Sequence, residues 1–186
     1  NDVRDVLMKF GGCQWYSFYS RIPAGLFSGD VRVRNCIYIL SSLGNSLMTS
    51  RLHRWFTEQR DFLFSSEIKY VAFEYNSSIP MIDATELQNI FENKNGIHLS
   101  LLKSPNGRSI FCKKIGYNFL SISSEIPPVY DTKNNRINPI VNELRFDKRY
   151  FEFALLLLSG KFYLTKWLSY GDDFNDYKIS FCYRDV

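Results

Sequence analysis

Apolar and polar residues alternate along several short segments of this chain, in a pattern typical of β-strands. Residues 13–22, 31–40 and 47–55 are rich in aromatic and β-branched side chains, and they predict three strands in the first part of the chain. Further strands are predicted at 98–102, 109–114, 119–123 and 177–183. A Pro-Asn-Gly turn at 105–107 and a polar loop at 134–139 separate some of them.

Helical spacing of apolar residues appears in two places. Asp83 and Glu86 form a capping box for a helix from Ala84 to about Lys94. Asp147 is the expected N-cap of an apolar helix that ends at Ser159, and a further helix follows through residue 167. The pattern therefore predicts an α/β chain of the mixed α+β kind, with a boundary between two lobes near residues 76–82.

One motif combines a turn, an aromatic residue and two arginines. Phe27 precedes a Gly-Asp turn, and the predicted strand that follows carries Arg32 and Arg34 at its beginning. Because strand side chains alternate, both arginines share one face with Cys36 and Tyr38. Such arginines either lie in solvent at a strand end or contact an anionic ligand, and the pattern leaves both interpretations open.

This segment resembles the region that follows the catalytic motifs of adenine-N6 DNA methyltransferases of restriction-modification systems, including fused methylase-endonuclease enzymes. Residues 15–40 and 48–55 are similar to the last strands of that catalytic domain. Residues 153–163 and 167–174 are similar to the target-recognition regions of these enzymes. The resemblance implies the end of a methyltransferase-like sheet at 1–75 and an α+β target-recognition domain at 76–186. It also implies that Phe27 stacks on an adenine swung out of the duplex.

The catalytic motif of that family, Asn/Asp-Pro-Pro-Tyr/Phe, does not occur in this sequence. Its Pro-Pro pair, Pro127-Pro128, has Ile126 before it and Val129 after it, and Gly11-Gly12 lacks the third glycine of a nucleotide-binding turn. We therefore expect this chain to hold no catalytic residue and to bind no S-adenosylmethionine, which the parent enzyme would use. The chain begins with Asn1, and we expect it to be a piece whose partner is the remainder of the methyltransferase domain.

Charge is uneven along the chain. Residues 1–60 carry eight Lys/Arg against four Asp/Glu, whereas residues 61–186 carry fifteen of each, so the net charge of +4 belongs to the first part. Arginine dominates there, and its planar fork suits phosphate and guanine edges. The candidate contacts to double-stranded DNA are Arg32, Arg34, Arg51, Arg54, Arg108, Lys113 and Lys114.

Each candidate has a structural alternative. Phe27 could equally lie in the core. Arg108, Lys113 and Lys114 could be solvated surface residues as readily as phosphate contacts. Trp167 and Tyr170 fit a core better than a platform for a ligand. The Asp172-Asp173 pair lacks the partners of a nuclease metal site.

Composition narrows the class of protein. The four cysteines lack zinc-ligand spacing, and they indicate reduced thiols and a cytoplasmic protein without a metal. No apolar run is long enough to span a membrane. A different class of function stays open, namely a stand-alone recognition module without chemistry, similar to the specificity subunits of restriction systems.

Overall fold

The computed structural model describes residues 2–27, 33–76, 78–92, 97–113, 120–137, 140–170 and 180–181. Contacts divide the chain into two compact units. The first unit comprises residues 1–90 and 168–170, and the second comprises 91–167 and 171–186. Helices and several small sheets occur together, so the predicted mixed α+β class is confirmed.

The first unit is built around a four-stranded sheet. Its elements are α1 (Asp2–Lys9), β1 (Cys13–Tyr19), β2 (Asn35–Ser41), β3 (Ser46–His53), a 3₁₀ turn (Thr57–Phe62), β4 (Val71–Ala72) and α2 (Thr85–Phe91), whose last residue belongs to the second unit. The strand order is β2-β1-β3-β4. β1 pairs antiparallel with β2 and parallel with β3, and β4 is antiparallel to β3.

The central position of β1 explains its composition. Neighbours on both sides and packing on both faces bury Tyr16 and Tyr19 almost completely. Gly12, just before β1, has a φ of +98°, and a Cβ there would lie 2.1 Å from the Ser41 carbonyl oxygen. Glycine is needed at this position because the chain passes so close to the backbone of β2.

A buried glutamine joins α1 to the sheet. The side-chain amide of Gln14 donates to the carbonyl oxygens of Leu7 (3.2 Å) and Phe10 (2.6 Å) at the end of α1. Its Oε1 atom accepts a hydrogen bond from the Tyr16 hydroxyl at 2.6 Å. These bonds satisfy helix-end carbonyls that would otherwise lack a partner.

The second unit contains three small sheets and two apolar helices. Its elements are β5 (Ile97–His98), a 3₁₀ turn (Leu99–Leu102), β6 (Lys103–Lys113), β7 (Ile122–Ser123), β8 (Val129–Tyr130), β9 (Arg136–Ile137), β10 (Val141–Phe146), α3 (Phe151–Ser159), α4 (Lys161–Tyr170) and β11 (Ser180–Phe181). The last three residues of α4 belong to the first unit. The largest sheet has the order β10-β6-β7, and β8–β9 and β5–β11 form separate antiparallel pairs.

Several predicted elements differ from the structure of the second unit. The Pro-Asn-Gly segment at 105–107 was expected to separate two strands, but it lies within β6, where the pairing with β10 shifts between Arg145 and Phe146. A Cβ at Gly107 would lie 1.9 Å from the Phe146 carbonyl oxygen, so the glycine permits this irregular pairing. β10 was not predicted at all.

The start of α3 also differs from the prediction. The N-cap is Tyr150 rather than Asp147. Asp147 instead stabilises the preceding turn: its carbonyl oxygen accepts from the Tyr150 N–H at 2.9 Å, and its Oδ1 accepts from the Arg149 N–H at 2.9 Å. An aspartate can serve either motif, and spacing alone does not distinguish them.

Candidate nucleic-acid interface

The loop that carries Phe27 follows the carboxyl end of β1. β1 and β3 are parallel and Tyr19 pairs with His53, so the segments that follow the two strands begin at the same end of the sheet. The Ser20 N–H donates to the His53 carbonyl oxygen at 2.8 Å, and the Ala24 N–H donates to the Trp55 carbonyl oxygen at 3.2 Å. These bonds fix residues 20–27, the Phe27 loop, to the segment that follows β3.

Two arginines also bind the Phe27 loop. Nε of Arg54 donates to the carbonyl oxygen of Ile22 at 3.3 Å. A terminal nitrogen of Arg60 donates to the carbonyl oxygen of Leu26 at 2.9 Å. A carbonyl group is a neutral acceptor, so the guanidinium of Arg60 keeps its positive charge beside Phe27.

Adjacent residues of the loop have opposite environments. Leu26 is 8% exposed and packs with Tyr19 and Trp55, whereas Phe27 is 56% exposed. The buried leucine anchors the loop, and the aromatic ring after it faces solvent. The core interpretation of Phe27 is therefore wrong for the described structure, while its role in stacking stays a prediction.

More aromatic rings are exposed on the segment that follows β3. Phe56, Phe62 and Phe64 each expose more than half of their surface, and the ring of Phe64 lies 5.8 Å from that of Tyr19. We call this surface the arginine–aromatic edge; its residues are Phe27, Arg54, Phe56, Arg60, Phe62 and Phe64. Sequence reasoning singled out only Phe27 and Arg54. The clustering of two arginines and four aromatic residues along 54–64 was the signal that could have identified the others.

Two ring nitrogens lie buried beneath this edge. Nε2 of His53 and Nε1 of Trp55 have no hydrogen-bond partner within the described ranges. Both rings pack against Tyr19, with centroids at 5.5 and 5.8 Å respectively. Burial, and secondarily the charge of Arg51, lower the pKa of His53 below its ordinary value of 6.5, so the neutral imidazole predominates at neutral pH.

The other predicted contacts in the first unit are more dispersed. Arg34 is exposed and lies just before β2. Arg51 lies on β3, with Nη1 3.9 Å from Oδ2 of Asp83, and the two side chains are 67% and 42% exposed. Arg32 lies outside the described residues, as does residue 114, the predicted contact Lys114.

In the second unit, Arg108 already has an intramolecular role. It donates to Oε1 of Glu152 at 2.8 Å, and its guanidinium carbon lies 3.7 Å from the centroid of the Phe151 ring. Lys113 is exposed at the end of β6, five residues along the same strand. Strand alternation directs these two side chains to opposite faces, so they do not form one row of phosphate contacts.

The Gly11-Gly12 pair, which was compared with a nucleotide-binding turn, has a structural role. The positive φ of Gly12 serves the close approach of Ser41, and α1 rather than a strand precedes the Gly11-Gly12 pair. These residues therefore do not fit a nucleotide-binding turn, which lies between a strand and a helix.

Within the described part of the chain, no group of three or more His, Cys, Asp and Glu residues could hold a metal ion. Asp172 and Asp173 lie outside that part. No helix within the described ranges has the length and apolar character needed to cross a membrane.

No family model, curated protein or solved structure matches this chain. The resemblance to adenine-N6 methyltransferases therefore rests on residues 15–40, 48–55, 153–163 and 167–174 alone.

Proposed function

We propose that this chain binds DNA through the arginine–aromatic edge of its first unit. The observation that carries the proposal is the exposed ring of Phe27, on a loop held at both ends by arginines. Aromatic rings and guanidinium groups recur together in nucleic-acid sites, because bases stack on the rings while phosphates are attracted to the cations.

The construction of the Phe27 loop supports a binding role over a purely structural one. Leu26 already provides the apolar anchor, and two backbone–backbone and two arginine hydrogen bonds hold the loop without the aromatic ring. Exposing a phenylalanine to water has no benefit for the isolated fold. A flat partner such as an unstacked base would cover it.

At a finer level, we propose that the chain is the end of an adenine-N6 DNA methyltransferase domain joined to its target-recognition domain. The sequence resemblance is the support for this assignment. Double-stranded DNA would be the ligand, Phe27 would contact the extruded adenine, and the remainder of the parent chain would supply the S-adenosylmethionine site. A stand-alone recognition module without chemistry would use the same edge for DNA, and upstream residues with an Asn-Pro-Pro-Tyr motif would favour the enzyme over the module.

The test measures the affinity of the chain for a duplex with a 2-aminopurine target base, by fluorescence anisotropy. Base–aromatic stacking contributes roughly 1–3 kcal/mol, so Phe27→Ala should weaken binding by about five- to hundred-fold. Phe27→Tyr should retain most of the affinity. The free energy of unfolding of Phe27→Ala should stay within about 0.5 kcal/mol of the wild type, since the ring is exposed.

Two further variants serve as controls. Tyr130→Ala removes a comparably exposed ring from the second unit and should leave the affinity unchanged. Leu26→Ala removes the buried anchor and should cost about 2–5 kcal/mol of stability. Wild-type affinity in a folded Phe27→Ala protein would contradict the proposed role of the edge.

A further inference from the structure

The two edges of the sheet in the first unit are very different. β4 ends the sheet on one side with two residues, a short edge that offers little backbone for pairing. Among the strands that the structure describes, β2 ends the sheet on the other side with seven residues, Asn-Cys-Ile-Tyr-Ile-Leu-Ser, which include no charged residue and no proline. Proteins usually protect a long edge strand with charges, proline or a covering element, because its unpaired N–H and C=O groups recruit other strands.

Apolar side chains flank this edge on both faces of the sheet. Leu40 pairs with Gln14, while Ile39 pairs with Trp15 and so projects from the opposite face. Ile39 is 53% exposed and Leu40 is 45% exposed. Just beyond the strand, Val33 and Leu43 are exposed at 58% and 79%. A strand added at this edge would therefore cover apolar surface as well as backbone groups.

We propose that β2 pairs antiparallel with β2 of a second copy of this chain, in a register centred on Tyr38. In this register, Ile37 faces Ile39 of the second copy and exposed Val33 faces exposed Leu43. Arg34 faces Ser42, so no cation meets a cation across the two-fold axis. A register centred on Ile37 would instead place Arg34 opposite Leu40. The strand is thus self-complementary, as an isologous interface requires.

The substitutions that test this association, at residues 39 and 40, lie away from the proposed DNA contacts. Ile39 and Leu40 pair with Trp15 and Gln14, whereas the Phe27 loop follows Tyr19, which pairs with Asn35 at the other end of β2. Dimerisation and DNA affinity are therefore tested separately.

Disulfide cross-linking tests the register between β2 and β2 of the second copy directly. Cys36 would face position 40 of the second copy, and directly opposed residues in an antiparallel pair have Cα atoms about 4.5–5.5 Å apart, within the range of a disulfide. Within one chain, residues 36 and 40 are about 13 Å apart along the strand and cannot bond. Leu40→Cys should therefore form a disulfide-linked dimer under mild oxidation, with the bond between Cys36 and the introduced thiol identified by peptide mapping.

Ile39→Cys is the matched control, since position 39 is equally exposed but projects from the other face. It should give little dimer. Equal cross-linking of the two variants would overturn the register and, with it, the proposed pairing.

The reversible association is measured by sedimentation velocity across the micromolar range. The wild-type chain should dimerise, and the double variant Ile39→Lys/Leu40→Lys should weaken the dimer by about ten-fold or more, because lysines on an edge oppose strand pairing. Leu156→Lys, at an exposed apolar position of α3, should dimerise as the wild type does. A monomeric wild-type chain would overturn the proposal, as would hydrogen-exchange protection of the β2 edge in that monomer, which would mean that another part of the same chain covers it.

Discussion

Arginine has different acceptors in the two units. In the second unit, Arg108, Arg145 and Arg149 donate to the carboxylates of Glu152, Glu143 and Asp147 at 2.8, 2.9 and 3.0 Å. In the first unit, Arg54 and Arg60 donate to backbone carbonyl oxygens of the Phe27 loop. The shortest ion pair described there, between Arg51 and Asp83, is 3.9 Å long.

The kind of acceptor, carboxylate or carbonyl, affects the electrostatic potential around each arginine. A carboxylate cancels most of the charge of its arginine, and such exposed pairs contribute little to stability. A carbonyl group orders the arginine without cancelling its charge. The guanidinium of Arg60 is therefore held beside Phe27 by a neutral acceptor, whereas Arg108, Arg145 and Arg149 are each locally neutralised by a carboxylate.

The largest difference between the units should appear in the salt dependence of DNA affinity when two arginines of either unit are neutralised. Arg54→Gln/Arg60→Gln should reduce the slope of log K against log salt by about 2, since each phosphate contact contributes close to 1. Arg145→Gln/Arg149→Gln removes the same number of charges from the second unit and should leave the slope nearly unchanged. Equal losses from the two pairs would remove the distinction between the units.

The stability of the two units should also depend differently on pH, and this effect should be smaller. His53 has a lowered pKa in the folded first unit, so the unfolded chain binds the proton more readily. The stability of this unit should fall as pH decreases below 6.5, the ordinary histidine value, towards the lower folded pKa. In the second unit, hydrogen bonds from Ser109 and Arg145 lower the pKa of Glu143, and those from Arg149 lower the pKa of Asp147. Their contribution is present above about pH 4.5 and is lost below it.

Hydrogen exchange monitored by mass spectrometry measures the two units separately. Between pH 7 and 5, the loss of protection, measured relative to the intrinsic exchange rate at each pH, should be confined to the first unit, and His53→Gln should abolish it. The hypothesis fails if both units lose protection together over this range in the wild type and in the variant.

The smallest effect should come from Glu152→Gln, which removes the carboxylate partner of Arg108. Both side chains are more than half exposed, so the loss in the free energy of unfolding should be about 0–1 kcal/mol. Arg108 would keep its position over the buried ring of Phe151. Chemical denaturation provides the measurement, and a loss above about 2 kcal/mol would mean that the ion pair contributes more than exposed pairs normally do.

Local patterns predicted much of the first unit. Strong alternation and β-branched or aromatic composition identified β1, β2 and β3, because each strand buries at least part of one face. The second unit was predicted less well. β10 contains Asn142, Glu143 and Arg145, and it is a strand because it pairs with β6 along its length. Local composition carries little signal for a strand stabilised chiefly by its partner.

The candidate site shows the same division. The sequence identified Phe27 and an arginine-rich first part, and it determined that neither the catalytic tetrapeptide nor a glycine-rich cofactor turn is present. It did not predict Arg60 as part of the site, because the contact between Arg60 and the Leu26 carbonyl joins residues 34 positions apart. The assignment to the methyltransferase family stays a prediction, as do the functional division at residue 75 and the cytoplasmic location.

Residue types and their spacing determined by themselves where β1, β2, β3, α2 and α3 form, since those preferences act over a few neighbouring residues. Only the tertiary structure decided that Leu26 is buried and Phe27 exposed, and that Arg60 donates to a carbonyl while Arg108 donates to a carboxylate. These outcomes depend on which distant segments meet, and the parallel pairing of β1 with β3 brings the Phe27 loop and residues 54–60 together.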